Sequence, residues 1–540
     1  MVANMSHDEV WRLNRGGHDP LKVYAAYHNA VRHKGQPTII LAKTVKGYGM
    51  GAAGEGQNTA HQQKKLDISA LKEFRDRFNI PVSDRNIEDV PYCKPDPGSA
   101  ELEYLHERRQ ALGGYLPQRK HKPAPLAVPP LEIFKTQLEG TGEREASTTM
   151  ALVRMLTSLI RDKQIGKNIV PIVPDEARTF GMEGMFRQVG IYSSKGQLYT
   201  PEDAEQLMFY REDMKGQILE EGINEAGAFC SWLASATSYS NHDLQTVPFY
   251  IYYSMFGFQR IGDFIWAGGD LQSRGFLIGG TAGRTTLAGE GLQHQDGHSL
   301  VNASTVPNCV SYDPTYAYEL AVIVQDGLRR MIGNQENVFY YITCMNENYV
   351  HPPMPSGVED GILKGMYLLQ VGGQGQIRAQ LMGSGTILRE VLGAAELMDK
   401  DFGIPCDVWS VTSFNELRRD ALESERWNQL HPEDTPRKSY METCLANRKG
   451  PYIAATDYMK IVSDQVQRWI PGRFVSLGTD GYGRSDGRAA LRDHFEVDKR
   501  YIAVTALKAL ADDGVLDQKT VAEAIVKYKI DPEKPDPVKL

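Results

Sequence analysis

No stretch of this chain reaches the ~18 uninterrupted apolar residues that a membrane-crossing helix needs. The opening segment, MVANMSHDEVWRLNRGG, has no apolar core of the kind that directs secretion. Cysteine is sparse: six in 540 residues (Cys93, Cys230, Cys309, Cys344, Cys406 and Cys444), with no close pair among them. That excludes a disulfide-stapled domain and a CxxC zinc site, and reduced thiols in a cytoplasmic compartment are the expectation. An excess of one charge is missing too. The 60 basic and 68 acidic residues leave a net charge of -8, which gives no reason to expect a nucleic-acid partner. The phosphate-loop pattern GxxxxGK[ST] is absent from the most glycine-rich stretch, TVKGYGMGAAGEGQNTAH.

The composition that remains, 41% hydrophobic and 24% charged, is that of a soluble globular protein. A chain this long divides into about three domains. At the start, a helical pattern runs through DPLKVYAAYHNAVR, a turn follows at Gly35–Pro37, and Thr38–Ala42 reads as a buried strand entering the glycine-rich loop. One helix and one strand cannot bury their apolar faces alone. LDISALKEFRDRFN is a further helix, and residues 81 to about 145 are rich in Pro, Gly and charge, so an extended surface connector is expected there. Between about 146 and 346 strands and helices alternate. EASTTMALVRMLTSLIRDK is a helix with a Ser147 or Thr148 cap, NIVPIVPDEA a strand, KGQILEEGINEAGAFCSWLASAT one long helix, VPFYIYYSMF a strand, and NVFYYITC another. The same alternation recurs in a smaller C-terminal unit, so the fold class is α/β with mostly parallel sheets.

Several residues stand out chemically. Glu225, in EEGINEAGAF, shares a helical sector with Gly222 and Phe229 at the margin of an apolar face, where desolvation would raise its pKa. The plainer reading is a solvated glutamate beside Glu221. Asp175 and Glu176 follow a strand, where ligands bind in open α/β sheets, or they cap a loop. Asp480 also follows a strand, and Ser485 and Asp486 suit a helix cap. Lys46, Glu55 and His61 flank the glycines of residues 47–54, which suits a mobile loop carrying an acid and a base. GLQHQDGHS sets His294, Asp296 and His298 on alternate positions. A metal site, a polar turn and a ligand-facing loop all remain open for it, and no fourth metal ligand is evident nearby.

In order, ILAKTVKGYGMG, PDEARTFGMEG, EGINEAGA, FYIYYSMFGFQRIGD, GGTAGRTTLAGEGLQHQDGHS, NENY and LGTDGYGRSDGR closely resemble the homodimeric-type E1 component of pyruvate dehydrogenase complexes. That family is thiamine-diphosphate-dependent and transketolase-like. The resemblance covers nearly the whole chain, but the family's GDG…N motif, which holds magnesium and the diphosphate, has no counterpart here. It implies a remnant of the diphosphate-binding domain at 1–65, a connector at 66–145, a pyrimidine-binding domain at 146–348 and a C-terminal domain at 349–540. It further implies that Glu225 hydrogen-bonds the aminopyrimidine, that Tyr253 and Phe256 pack around it, and that Asp175 and Glu176 lie near the same pocket. Lys46 would stand near the cofactor, Glu55 and His61 in a mobile inner loop, and His294 among the catalytic groups, with His294 or His61 donating protons; Asp296 and His298 receive no role. The implied reaction is oxidative decarboxylation of pyruvate with reductive acetylation of a lipoyl group on the E2 acyltransferase, by a homodimer using thiamine diphosphate and magnesium. Two other readings are a non-catalytic chain that needs the diphosphate-binding half supplied, and a transketolase-like enzyme acting on another 2-keto substrate.

Overall fold

The computed structural model describes residues 3–12, 16–115, 122–174, 177–202, 204 and 210–540. Asp175 and Glu176 lie outside the described residues. The chain divides into two compact units, residues 1–117 and 118–540.

The longer helices of the first unit are α1 (Pro20–Arg32), α2 (Ile68–Arg77) and α3 (Ala100–Ala111). Asp19, Asp67 and Ser99 cap them by accepting backbone N–H groups of the first turn. The strand expected at Thr38–Ala42 does not form. Residues 37–45 run without a β partner, and Ile39 and Leu41 are 84% and 91% exposed. A β-branched run has strand propensity, yet a strand needs a neighbour for its backbone groups, and the described part of this unit offers none.

The second unit holds two large sheets. The first is built from β1 (Ile169–Val173), β2 (Leu219–Glu220), β3 (Val247–Tyr253), β4 (Phe276–Gly280), β5 (Cys309–Tyr312) and β6 (Phe339–Thr343), in the order β2-β1-β3-β4-β6-β5 and parallel throughout. Strand β3 reads VPFYIYY and is buried until Tyr253, as a central parallel strand covered on both faces must be. The covering helices are α4 (Thr148–Arg161), α5 (Glu225–Ala236), α6 (Phe258–Asp270), the short α7 (Ser299–Ser304) and α8 (Ala317–Leu328). In α4 the Ser147 hydroxyl accepts the Met150 N–H at 3.1 Å, and Leu152, Met155, Leu156 and Leu159 form the buried stripe.

One long helix over KGQILEEGINEAGAFCSWLASAT was expected, and the structure breaks it. Leu219 and Glu220 extend β2, Gly222 takes φ +79°, and α5 begins only at Glu225. Glycine's tolerance of that conformation and the Asn224 cap, which accepts the Gly227 N–H at 3.0 Å, set the boundary. Glu225 therefore shares no helical sector with Gly222.

The second sheet comprises β7 (Tyr367–Gln370), β8 (Ala379–Gly383), β9 (Cys406–Ser410), β10 (Tyr452–Ala455) and β11 (Phe474–Leu477), ordered β7-β9-β8-β10-β11. Only β7 is antiparallel. Helices α9 (Ile387–Phe402), α10 (Phe414–Leu430), α11 (Arg488–His494) and α12 (Lys499–Asp512) accompany it. The expected cap at Ser485 or Asp486 is corrected: α11 starts from Gly487 with no side-chain cap, and Asp486 instead accepts the Gly487 N–H at 2.6 Å. The carboxyl ends of β10 and β11 meet the long loop that leaves β4, which brings the two sheets together around residues 281–298.

Candidate active site

Strand β3 ends at Tyr253, and the tight turn Ser254–Phe256 passes the chain into α6. Residues at the carboxyl end of a parallel strand are where such sheets bind ligands. Tyr253 lies 5.1 Å from the His294 ring and Phe256 lies 5.4 Å from it, with 5.8 Å between Tyr253 and Phe256. Phe180 backs Tyr253 at 5.4 Å. His294 closes a short turn, Leu292–His294, on the loop from β4. Its Nδ1 is buried without a hydrogen-bond partner among the described residues, and the nearest carboxylate oxygen, on Glu290, is 3.8 Å away. That distance is too long for a hydrogen bond, so the ring presents an unsatisfied nitrogen beside two aromatic faces.

Glu225 opens α5, and its side chain is 12% exposed. The Tyr250 hydroxyl donates to its carbonyl at 3.3 Å. The Arg260 guanidinium donates to its Oε1 at 2.9 Å, and the same guanidinium lies 3.9 Å above the Phe256 ring. Among the described residues no hydrogen bond reaches Glu225 Oε2, which leaves an acceptor at the edge of the cluster. Burial and the charges of Glu225 and Glu221 hold the Tyr250 phenol well above its ordinary range, so Tyr250 stays a donor. A cavity of about 530 Å³ opens beside this wall, lined by Phe256, Arg260, Arg284, Gln293, His298 and Tyr482 among others.

The three alternate residues of GLQHQDGHS part company. Asp296 is fully buried, accepts the His298 and Ser299 N–H groups at 3.0 and 2.9 Å, and takes the Ser299 hydroxyl, so it starts α7. His298 faces the cavity. Arg260 was not singled out in the sequence; it stands in the first turn of α6 and folds back over Phe256 in the preceding turn. Asp457, which holds the loop from the second sheet, and Gln295, which ties the loop to Arg484, carried no local signal.

In the first unit, Lys46 and His61 are exposed. Glu55 is pinned: Arg77 donates to both its oxygens and the Gly49 N–H reaches it at 3.2 Å. The Arg77 hydrogen bond holds the Glu55 carboxyl below its usual range. Asp480 is spent on the Lys460 N–H at 3.0 Å.

Residues 126–352 match the family described as the pyruvate dehydrogenase E1 component middle domain, and residues 365–498 match the transketolase-like C-terminal domain. Over its whole length the chain is homologous to pyruvate dehydrogenase E1 components. It is 63% identical to the Pseudomonas aeruginosa pyruvate dehydrogenase E1 component over 540 residues, covering 100% of this chain and 61% of that protein. The Escherichia coli K12 E1 component is 57% identical over 542 residues, covering 99% of this chain and 60% of that protein. The chain thus spans about 60% of the length of these E1 components. Among solved structures, transketolases from Campylobacter jejuni and Pichia stipitis share the fold at TM-scores of 0.59 and 0.60. They are 16% and 15% identical, covering 91% and 92% of this chain and 66% of each of those chains. The architecture is α/β, transketolase-like, with parallel sheets, and among the described residues no helix is long and apolar enough to cross a membrane.

Proposed function

We propose that this E1-type chain supplies the pyrimidine-facing half of a thiamine-diphosphate site and serves the oxidative decarboxylation of pyruvate, with reductive acetylation of a lipoyl group on an E2 acyltransferase. The observation that carries the reading is the convergence of Glu225, Tyr253, Phe256 and His294 at the carboxyl end of one parallel strand. The donors and acceptors suit the group: Glu225 Oε2 is open to accept an N–H from a nitrogen heterocycle, Phe256 and Tyr253 offer faces for a flat ring, and His294 Nδ1 lacks a partner. Thiamine diphosphate supplies, when bound, the electron sink that decarboxylation of a 2-keto acid requires.

The chain's own groups do the rest. Glu225 anchors and polarises the ring through a carboxylate kept from bulk water, with Arg260 fixing its other oxygen. His294 holds or moves a proton at Nδ1, where no neighbour competes for it. Tyr253, Phe256 and Phe180 exclude water from that side. Lys46, Glu55 and His61 belong to the loop that attends the cofactor, and His61 is a second proton donor. In this reading residues 146–348 are the pyrimidine-binding domain and 349–540 the C-terminal domain; 1–65 belong with a diphosphate-binding domain and 66–145 connect them. Among the described residues no three His, Cys, Asp or Glu side chains are grouped to hold a metal. In this reading the protein works with magnesium as a cytoplasmic homodimer.

The test is complementation. This chain is mixed with the N-terminal portion of an E1 component, thiamine diphosphate, magnesium and pyruvate, and carbon dioxide release is followed. The chain alone is expected to release none. In the complemented protein Glu225→Gln is expected to lower release by at least about 100-fold, the scale of one acid–base group. Release unaffected by Glu225→Gln would remove that residue from its role.

A further inference from the structure

The loop carrying His294 belongs to the first sheet, yet it is held by the second. Asp457, just past β10 and fully buried, accepts four hydrogen bonds from it: the Thr285 N–H and hydroxyl at 2.9 and 2.7 Å, and the Thr286 N–H and hydroxyl at 3.1 and 2.6 Å. Gly283 must be glycine for this approach, since it sits at φ +85° and a Cβ there would stand 2.1 Å from Asp457 Oδ2. Beyond β11, the Thr479 carbonyl accepts from the Arg284 guanidinium, and the Asp486 carbonyl takes the Gly289 N–H at 3.0 Å. The Met459 N–H reaches the Gly297 carbonyl at 2.9 Å.

Between these points stands Gln295, next in sequence to His294 and buried. Its Oε1 accepts the Arg484 N–H at 2.7 Å while its Nε2 donates back to the Arg484 carbonyl. The side-chain amide thus satisfies both backbone groups of one residue, as a neighbouring strand would. Gly483 allows the approach, because a Cβ there would lie 2.7 Å from Gln295 Oε1. A buried amide that loses such a partner leaves both the donor and the acceptor unsatisfied, so the arrangement admits one geometry.

We propose that Gln295 and Asp457 are positioning residues, and that the carboxyl edge of the second sheet is the mould that fixes His294 against Tyr253 and Phe256. In open α/β sheets that edge is the ligand site. Here it is occupied by the reactive loop of the neighbouring sheet. Asp457 fixes where the loop begins, and Gln295, which lines the same cavity as Phe256, fixes the residue beside His294. The C-terminal domain then contributes to the chemistry without a reacting group of its own.

The inference rests on the reading of His294 as a reactive group, but its test does not use turnover. Histidines of the full chain are labelled at Cε1, and the His294 signal, assigned by its loss in His294→Gln, is titrated by NMR in the wild type, Gln295→Met and Gln380→Met. Gln380 is a buried amide on β8 of the second sheet, bonded to Asp407, Lys449 and Trp409 and to no residue of the loop among the described residues. Gln295→Met is expected to shift the His294 midpoint by about half a pH unit or more, while Gln380→Met leaves it in place. An unmoved His294 in Gln295→Met, or an equal movement in both variants, overturns the proposal. Should Gln295→Met not fold, amide exchange in the wild type decides. Arg484, Thr285 and Thr286 must be protected together, and an Arg484 amide exchanging like that of a free peptide overturns the clamp. An intact clamp in a complemented protein without turnover would instead count against the proposed function.

Discussion

Arg260 holds Glu225 at 2.9 Å while lying 3.9 Å above the Phe256 ring, so one guanidinium ties the carboxylate to the aromatic wall. A planar cation can do both at once, and an ammonium cannot. Because Arg260 is 48% exposed, solvent screens the pair and its share of stability is small. Arg260→Lys is expected to change unfolding stability by less than about 1 kcal/mol. Activity in the complemented protein should fall several-fold, because Phe256 loses its cover and Glu225 its orientation. Chemical denaturation and carbon dioxide release measured on the same preparation check both halves. A large stability loss would assign Arg260 to the core instead.

Glu55 and Arg77 close the glycine-rich loop of the first unit, with Arg77 also 4.7 Å from the Tyr48 ring. Arg77 lowers the Glu55 pKa from an ordinary 4.5, so the contribution of the pair is present above that value and fades as pH falls through the lowered one. Arg77→Gln should therefore loosen the loop at neutral pH. The amide of Gly49, which donates to Glu55 at 3.2 Å, is the reporter. Its hydrogen exchange is expected to quicken in Arg77→Gln while amides within α3 keep their rates.

Glu347, in NENY, is the hub of a buried ion network. Arg389 donates to it at 2.7 Å, and Arg492 donates to both its oxygens while reaching the Thr285 hydroxyl at 3.4 Å. Burial works to raise the Glu347 pKa, but the two arginines outweigh it and the net shift is downward. Removing one partner strands the other in the interior. Glu347→Ala is expected to cost about 3–5 kcal/mol in urea unfolding. Double replacement with Arg492→Met should recover part of that loss. If the double variant is as unstable as the sum of the two single ones, the coupling is absent.

Period and composition made most strands and helices of residues 146–540 legible, because each buries a face with one repeat: α4 by its leucines, β3 by an unbroken apolar run. What escaped was set by partners distant in sequence. Thr38–Ala42 has strand propensity without a neighbour to pair with. The helix expected from residue 215 starts at Glu225 because Gly222 turns left-handed and Leu219–Glu220 pair with β1. In the candidate site, motif resemblance pointed to Glu225, Tyr253, Phe256 and His294, which the structure groups. Asp457 and Gln295 could not be read, since a lone aspartate after a strand and a glutamine in a polar turn acquire meaning only from the loop packed against them.

Asp313 gives the sharpest dependence on pH. It sits fully buried between the sheets, where its N–H donates to the Thr412 carbonyl at 2.8 Å and its Oδ1 accepts the Thr343 hydroxyl at 2.6 Å. Burial, with the nearby Asp457 and Glu319, pushes its pKa from 3.8 up to about 7, against the hydrogen bond from Thr343. The folded state then keeps a proton that the unfolded chain has lost. This favours folding below the unfolded value, and stability declines between about pH 4 and pH 7 as the buried acid is forced to ionise. The shift corresponds to at most roughly 4 kcal/mol, at about 1.4 kcal/mol per unit. Asp313→Asn removes the titration while keeping an oxygen to accept from Thr343. Relative to wild type, the variant should gain stability from pH 5 to about pH 7 and level off above it, read as the separation of the two urea midpoints. A constant separation over that range would mean that Asp313 ionises in the folded protein as it does in the open chain.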